Sequence, residues 1–316
     1  MKRVAVSSRS FSNHAVLRET LSQRYQHVAF NDEGKTLAGA ELVEFLKNYE
    51  MAILGLERMD ASILNQLPNL KVISRFGVGL DTLDLAAMQE LGIKLAYTAG
   101  ANKRAVAELV IAFAITMLRN LAAANHEVRN GVWKQHKGRQ LSNCKVGIIG
   151  LGAVGKDLVT MLNAFGCEIV VYDTVENKEF CHDHNLKQVD LETLLKKSDV
   201  VTLHIPHTKE THFIIDEERL SLMKANAILI NTARGGLVDE NALKTALKNN
   251  KLAGAAFDVF ATEPPQDLEL LTLSNFFATP HIGGTTQESI LAMGLAAIEG
   301  LEQAKSLVGY DNSIPV

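Results

Sequence analysis

The stretch Lys145-Val146-Gly147-Ile148-Ile149-Gly150-Leu151-Gly152-Ala153-Val154-Gly155 decides how this chain is read. An apolar run of strand character enters a G-x-G-x-x-G spacing, and a helical pattern over residues 154–165 leaves it. The glycines alone are weak evidence; strand, glycines and helix in that order are the context a dinucleotide-binding turn requires. Gly150 permits the tight turn, Gly152 lets the backbone approach a pyrophosphate, and Gly155 lets helix and strand pack closely. Helix N–H groups then face the phosphates. The next strand candidate, residues 168–172, ends in Asp173. A carboxylate there accepts from both ribose hydroxyls of an adenosine and repels a 2′-phosphate. Thr174 and Val175 follow with no arginine beside it, so NAD is favoured over NADP.

Downstream, three apolar runs each end in a loop with one side chain suited to chemistry. Residues 227–231 run into Thr232-Ala233-Arg234-Gly235-Gly236, residues 253–260 into Ala261-Thr262-Glu263-Pro264-Pro265, and residues 276–279 into Pro280-His281-Ile282-Gly283-Gly284. In an open α/β sheet, ligands bind outside the carboxyl ends of the strands. Histidine suits proton transfer near neutral pH. A neighbouring carboxylate orients the imidazole and favours its protonated form. Arginine grips a carboxylate with two parallel hydrogen bonds. Singly, Arg234 reads as a solvated loop residue, Glu263 as part of a turn and His281 as structural. Their shared placement behind a nucleotide motif makes them a candidate acid/base site. His204 either lines the cofactor cleft or is a satisfied strand-end residue, and His207 and His212 lack even that support. None has metal-ligand spacing, so no metal is expected.

Composition sets outer bounds. The chain has 316 residues, 47% hydrophobic and 22% charged, as an ordinary globular protein does, and two domains are more probable than one at this length. A formal net charge of −4 argues against a general nucleic-acid binder. Cys144, Cys167 and Cys181 are odd in number and lack C-x-x-C spacing, which reads as thiols in a reducing compartment. The first residues look like a strand rather than a secretory segment, and the apolar run 109–118 is half the length of a membrane span. Cytoplasmic residence is the expectation.

Short apolar runs alternate with helical patterns along the whole chain. Strands are expected at 3–7, 27–30, 51–54, 71–74 and 94–97, then at 145–149, 168–172, 200–204, 227–231, 253–257 and 276–279. Helices are expected at 154–165, 191–197, 217–222, 240–248 and 287–305, with a single long helix over 104–129 between the two sets. Such alternation argues for parallel sheets built from βαβ units. The first set has too little chain for an independent sheet with its helices, so the last helix is expected to return to it. The division is then residues 1–98 with 285–316, and residues 99–284.

In these residues the chain resembles the D-isomer-specific 2-hydroxyacid dehydrogenase family, and within it the D-3-phosphoglycerate dehydrogenases. The stretches that carry the likeness are Phe76-Gly77-Val78-Gly79-Leu80-Asp81, Gly150 to Gly155, Asn231 to Gly236, Asp258-Val259-Phe260 with Glu263-Pro264, and Pro280-His281-Ile282-Gly283. They span nearly the whole chain and are jointly specific. The resemblance implies an α/β fold of two Rossmann-like or flavodoxin-like parallel-sheet domains with a cleft between them. The 99–284 domain would hold NAD and the other the substrate. It also implies interconversion of a D-2-hydroxy acid and its 2-oxo acid, with His281 as acid/base, Glu263 its partner and Arg234 the carboxylate binder. Cofactor contacts are implied at Val78, Ala153, Val154, Asp173, Ile205, Thr232, Ala233 and Asp258, the last on the nicotinamide carboxamide. His204, Arg234, His281, Gly283 and Gly284 join that set. The backbone at Val78 and Gly79 would hold the substrate carboxylate. A homodimer through the nucleotide domains is implied, with the 109–118 helix and the Trp133 arm in contact.

Two departures qualify the likeness. The phosphoglycerate subgroup often carries a regulatory domain after the last helix, and this chain stops at Val316, so that control is expected to be missing. Familiar members place a basic residue after the third strand to reach the substrate phosphate. Here the loop reads Gly55-Leu56-Glu57-Arg58-Met59, where Glu57 would repel a phosphate and Arg58 would bind one. Arg75 is a further candidate for the substrate anion. Substrates thus range from 3-phosphoglycerate to hydroxypyruvate, glyoxylate or other 2-oxo acids. The reading from a different class is a binding protein that senses NAD in the manner of a corepressor.

Overall fold

The computed structural model describes residues 2–307, so the expected terminus at Val316 lies outside the described residues. The chain divides into two units. One comprises the residues up to Asn102 together with those from Thr285 onward; the other runs from Lys103 to Gly284.

The first unit holds a parallel sheet of β1 (Arg3–Val6), β2 (His27–Phe30), β3 (Met51–Leu54), β4 (Val72–Arg75) and β5 (Lys94–Ala96), in the order β2-β1-β3-β4-β5. All four residues of β3 are buried, as a central strand covered on both faces requires. One face packs Leu42, Leu46, Leu64 and Met88. The other packs Leu17 and Leu21 with Met293, Ile298 and Leu301 of the last helix, Gln287–Gln303. Ser74 on β4 donates to the carbonyl of Ala297 at 2.7 Å, which ties that helix to this sheet.

The second unit holds a seven-stranded parallel sheet. Its strands are β6 (Lys145–Ile149), β7 (Glu168–Tyr172), β8 (Lys187–Gln188), β9 (Val200–Leu203), β10 (Ile228–Asn231), β11 (Gly254–Phe257) and β12 (Phe276–Ala278), ordered β12-β11-β10-β9-β6-β7-β8. From β6 the chain steps outward to β7 and β8. From β9 it steps the other way to β12. The neighbours β6 and β9 therefore form the topological switch point, where open α/β sheets bind ligands. The edge strand β8 has two residues and escapes a periodicity reading, which needs at least four.

The single helix expected over 104–129 is a correction. The structure has two helices, Lys103–Arg119 and Leu121–Arg129, bent by 62°. Asn120 between them sits at φ 52° in the left-handed region, which asparagine tolerates better than most residues because its short polar side chain bonds locally. The first helix buries Val110, Ile111, Phe113, Ala114 and Leu118; the second buries nothing. No single helix among the described residues is long and apolar enough to cross a membrane.

Candidate active site

The turn after β6 is built by sterics. Gly150 has φ 100°, and a Cβ there would stand 2.5 Å from the carbonyl oxygen of His204 on the neighbouring strand end. A Cβ on Gly155 would lie 2.1 Å from the oxygen of Gly150. Gly152 differs, because a Cβ there would meet nothing within 4 Å. The protein itself thus requires the first and third glycines, while the second leaves bare backbone facing open space. The helix Ala153–Phe165 starts there, with Ala153 and Val154 in its first turn and no side-chain cap. By contrast, Leu191–Lys197, Glu217–Leu222 and Glu240–Lys248 each start on a capping aspartate. Uncapped N–H groups suit a phosphate.

Asp173, just past β7, is held beside this turn. Its carboxylate accepts from the N–H of Leu151 at 2.6 Å and of Val175 at 2.9 Å. Across the switch point, Ile205 follows His204, whose ring Nε2 lies 3.0 Å from the Thr202 hydroxyl. Burial pushes His204 down to about 3, so the ring is neutral. Thr232, just past β10, is buried, and its hydroxyl finds no hydrogen-bond partner among the described residues. An orphaned hydroxyl, an uncapped helix and bare backbone at Gly152 all fit a dinucleotide, so these residues are suited to hold one.

Arg234, Glu263 and His281 follow β10, β11 and β12, three adjacent strands, so their loops leave the same sheet edge side by side. Buried Asn231 shapes the first loop: its amide donates to the Arg234 carbonyl at 2.8 Å and its Oδ1 accepts from the N–H of Ala233 at 3.1 Å. The Arg234 guanidinium donates to the Ala233 carbonyl at 2.7 Å. A Cβ on Gly235 would stand 2.0 Å from Phe260, so this loop lies directly on the next. There Glu263 accepts from the Phe260 N–H at 3.1 Å and, through its other oxygen, meets His281 Nδ1 at 2.8 Å. Both side chains stay partly open, 45% for His281 and 38% for Glu263.

His281 occupies φ 53°, a left-handed conformation that costs a non-glycine residue roughly 1–3 kcal/mol and persists only where surroundings enforce it. Asp258, almost fully buried, supplies that enforcement. It accepts from the N–H groups of Ile282 and Gly283, each at 2.7 Å, and from the Thr279 hydroxyl. Both of its oxygens are thereby engaged by the histidine loop. Asn231 and Thr279 were not singled out from the sequence. A polar residue closing an otherwise apolar strand was the available signal.

In the first unit, Leu54 pairs with Arg75, so the loops after β3 and β4 leave neighbouring strand ends. Val78 and Gly79 are half-buried in the second of these loops, and Arg75 is buried at its start. In the first, Arg58 is 82% exposed and lies 3.7 Å from Asp60. Glu57 has one carboxylate oxygen buried without a hydrogen-bond partner among the described residues.

Residues 111–283 match the family model for the D-isomer specific 2-hydroxyacid dehydrogenase, NAD binding domain. D-3-phosphoglycerate dehydrogenase of Methanocaldococcus jannaschii is 39% identical over 271 residues, which are 84% of this chain and 52% of that protein. This chain thus spans about half the length of that relative. Hydroxypyruvate reductase of Thermotoga maritima is 37% identical over 265 residues, 82% of this chain and 86% of that protein. Among solved structures, D-lactate dehydrogenase of Aquifex aeolicus, complexed with NAD and lactic acid, superposes with a TM-score of 0.83 at 28% identity, covering 95% of this chain and 94% of that one. The fold is that of these dehydrogenases, the second unit is an NAD-binding domain, and the chain belongs to the D-isomer specific 2-hydroxyacid dehydrogenase family.

Proposed function

We propose that this protein is an NAD-dependent oxidoreductase that interconverts a small, unphosphorylated D-2-hydroxy acid and its 2-oxo acid. The observation that carries the reading is the 2.8 Å contact between His281 Nδ1 and Glu263. With Nδ1 engaged by a carboxylate, Nε2 is the ring atom left to exchange a proton with substrate, and the carboxylate stabilises the imidazolium that forms. In the oxidative direction Nε2 takes the hydroxyl proton; in the reductive direction the imidazolium returns it to the carbonyl oxygen. Arg234 binds the substrate carboxylate. Gly150, Gly152, Gly155, Asp173 and Thr232 hold the nicotinamide cofactor, which when bound accepts or donates hydride at C2. Asp173 favours NAD by repelling a 2′-phosphate.

The loop after β3 favours an unphosphorylated substrate. Its carboxylate, Glu57, has an oxygen without a partner, while its cation, Arg58, points to solvent beside Asp60. A carboxylate in that loop opposes a phosphate dianion. Hydroxypyruvate, glyoxylate and glycerate are therefore favoured over 3-phosphoglycerate. The test is NADH oxidation with a panel of 2-oxo acids, with and without a phosphate. Turnover confined to unphosphorylated acids is expected. Preference for the phosphorylated acid overturns the substrate assignment, and tight NADH binding without turnover would instead make the chain an NAD-sensing binding protein.

The assembly belongs to the same proposal. Leu121, Val128, Val132 and Trp133 are exposed, Trp133 by 87%, whereas the preceding helix buries its apolar face within its own unit. A second copy covering the 121–133 segment gives a homodimer, and light scattering at several concentrations measures it. A monomer at all of them removes that part.

A further inference from the structure

Two of the three cysteines stand side by side. Lys145 on β6 and Glu168 on β7 are in-register partners, joined by a 2.6 Å ion pair. Cys144 and Cys167 immediately precede them. Cys144 is extended, with φ −102° and ψ 146°, so it continues the line of β6. Neighbouring strands lie about 4.8 Å apart, inside the roughly 4.4–6.8 Å window between Cα atoms that a disulfide spans. Because side chains alternate along a strand, the 144/167 pair shares the face opposite the Lys145–Glu168 pair. Both thiols do turn to one place: Cys144 Sγ donates to the Gln140 carbonyl at 3.3 Å, and Cys167 Sγ to the adjacent Leu141 carbonyl at 3.4 Å. Both also pack in the same apolar cluster.

We infer that Cys144 and Cys167 form a reversible disulfide when the protein meets a peroxide. Nothing in the proposed dehydrogenase chemistry uses either residue, so the inference is independent of that reading. Half-buried Cys167 is the accessible thiol and buried Cys144 its resolving partner. The Cys167 thiolate attacks one peroxide oxygen, giving a sulfenic acid and releasing the other oxygen as water. The Cys144 sulfur then attacks the sulfenic sulfur, and hydroxide leaves with the Cys144 proton as a second water. Two thiols are oxidised by two electrons and one peroxide is reduced. A dithiol reductant reverses the step. Burial, with the neighbouring Cys144, pushes the Cys167 thiol up to about 11, so bridging is slow at neutral pH and quickens in base.

The bridge lies at the amino ends of the strands, about 20 Å from the cofactor turn at about 3.3 Å per residue. It closes a loop holding β6, the glycine turn and the helix Ala153–Phe165, so it constrains the unfolded chain without touching Gly150 or Asp173. The experiment treats the full protein with hydrogen peroxide, alkylates remaining thiols, and maps peptides without reduction. A linked Cys144–Cys167 peptide is expected, lighter by two hydrogens than the reduced pair and lost on adding dithiothreitol. Cys181, buried in the helix Lys178–Asp183, should stay alkylatable after unfolding. The oxidised protein should melt several degrees higher, and Cys144→Ser should abolish both the linked peptide and that rise. Sulfinic acid at Cys167 without a linked peptide overturns the inference, as does linkage of Cys181 at an equal rate.

Discussion

Asp258 accepts the N–H of Gly283 at 2.7 Å, and through this contact a buried carboxylate on one strand end holds the loop of the next. The same carboxylate takes Ile282 and Thr279, so three donors of the His281 loop depend on one side chain. Asp258→Ala strands those donors, at about 1–3 kcal/mol for each one left buried. We expect a lower melting temperature and a fall in kcat of about 10- to 100-fold as His281 loses its placement. Wild-type values of both, by calorimetry and steady-state kinetics, would contradict this account of the loop.

His281→Ala should cut turnover by about 10²–10⁴-fold, the range that a positioned acid/base contributes. NADH binding, followed by fluorescence titration, should persist. Glu263→Gln keeps a hydrogen-bonding group near Nδ1 but removes the charge that steadies the imidazolium, so we expect a smaller loss of kcat, about 10-fold or more. Wild-type kcat in Glu263→Gln would remove the partnership.

The glycine turn separates folding from binding. Gly150→Ala forces a Cβ against the His204 carbonyl in a left-handed conformation and should destabilise the second unit by about 2 kcal/mol or more. Gly152→Ala meets open space, so melting should be unchanged. Its methyl instead stands where a pyrophosphate would approach, and KM for NAD should rise about tenfold or more. A stable Gly152→Ala protein with wild-type KM would place the cofactor elsewhere.

His204 makes stability depend on pH. Burial holds its folded-state value at about 3, below an unfolded value near 6.5. Above that unfolded value the ring is neutral in both states and has no effect. As pH falls through the window, the unfolded chain binds a proton that the folded chain refuses, and stability drops. At about pH 5 the loss is on the order of 1–2 kcal/mol, since part of the residue remains open to water. His204→Asn should therefore lose less melting temperature than the wild type between about pH 7 and about pH 5. Parallel curves for the two proteins would show that the ring protonates in the fold.

Much of the fold was legible because local signals agreed. The helices Leu191–Lys197, Glu217–Leu222 and Glu240–Lys248 begin on Asp190, Asp216 and Asp239, and their apolar residues recur at helical spacing. The helix Ala15–Arg24 leaves little periodic trace in the sequence. Only Leu17 and Leu21 of its ten residues are buried, too sparse a stripe to register. The two-helix bend escaped because the residues on either side of Asn120 have equal helix propensity, and one backbone angle separates a straight helix from a broken one. In the site, each of Arg234, Glu263 and His281 could be placed after an apolar run. The Asp258 clamp could not be, because it exists only once β11 and β12 are neighbours. Likewise Asn231 turns back on its own loop, which spacing alone does not disclose.

The bend at Asn120 also governs what the most apolar part of the chain can become. A straight helix from Lys103 to Arg129 would extend about 40 Å at about 1.5 Å per residue, longer than the roughly 30 Å hydrocarbon core of a bilayer. Neither of its two segments is long and apolar enough to cross alone. Charged Arg119 and left-handed Asn120 together end the apolar run at half that length, and the first helix buries Val110, Ile111, Phe113, Ala114 and Leu118 in the nucleotide-binding unit instead.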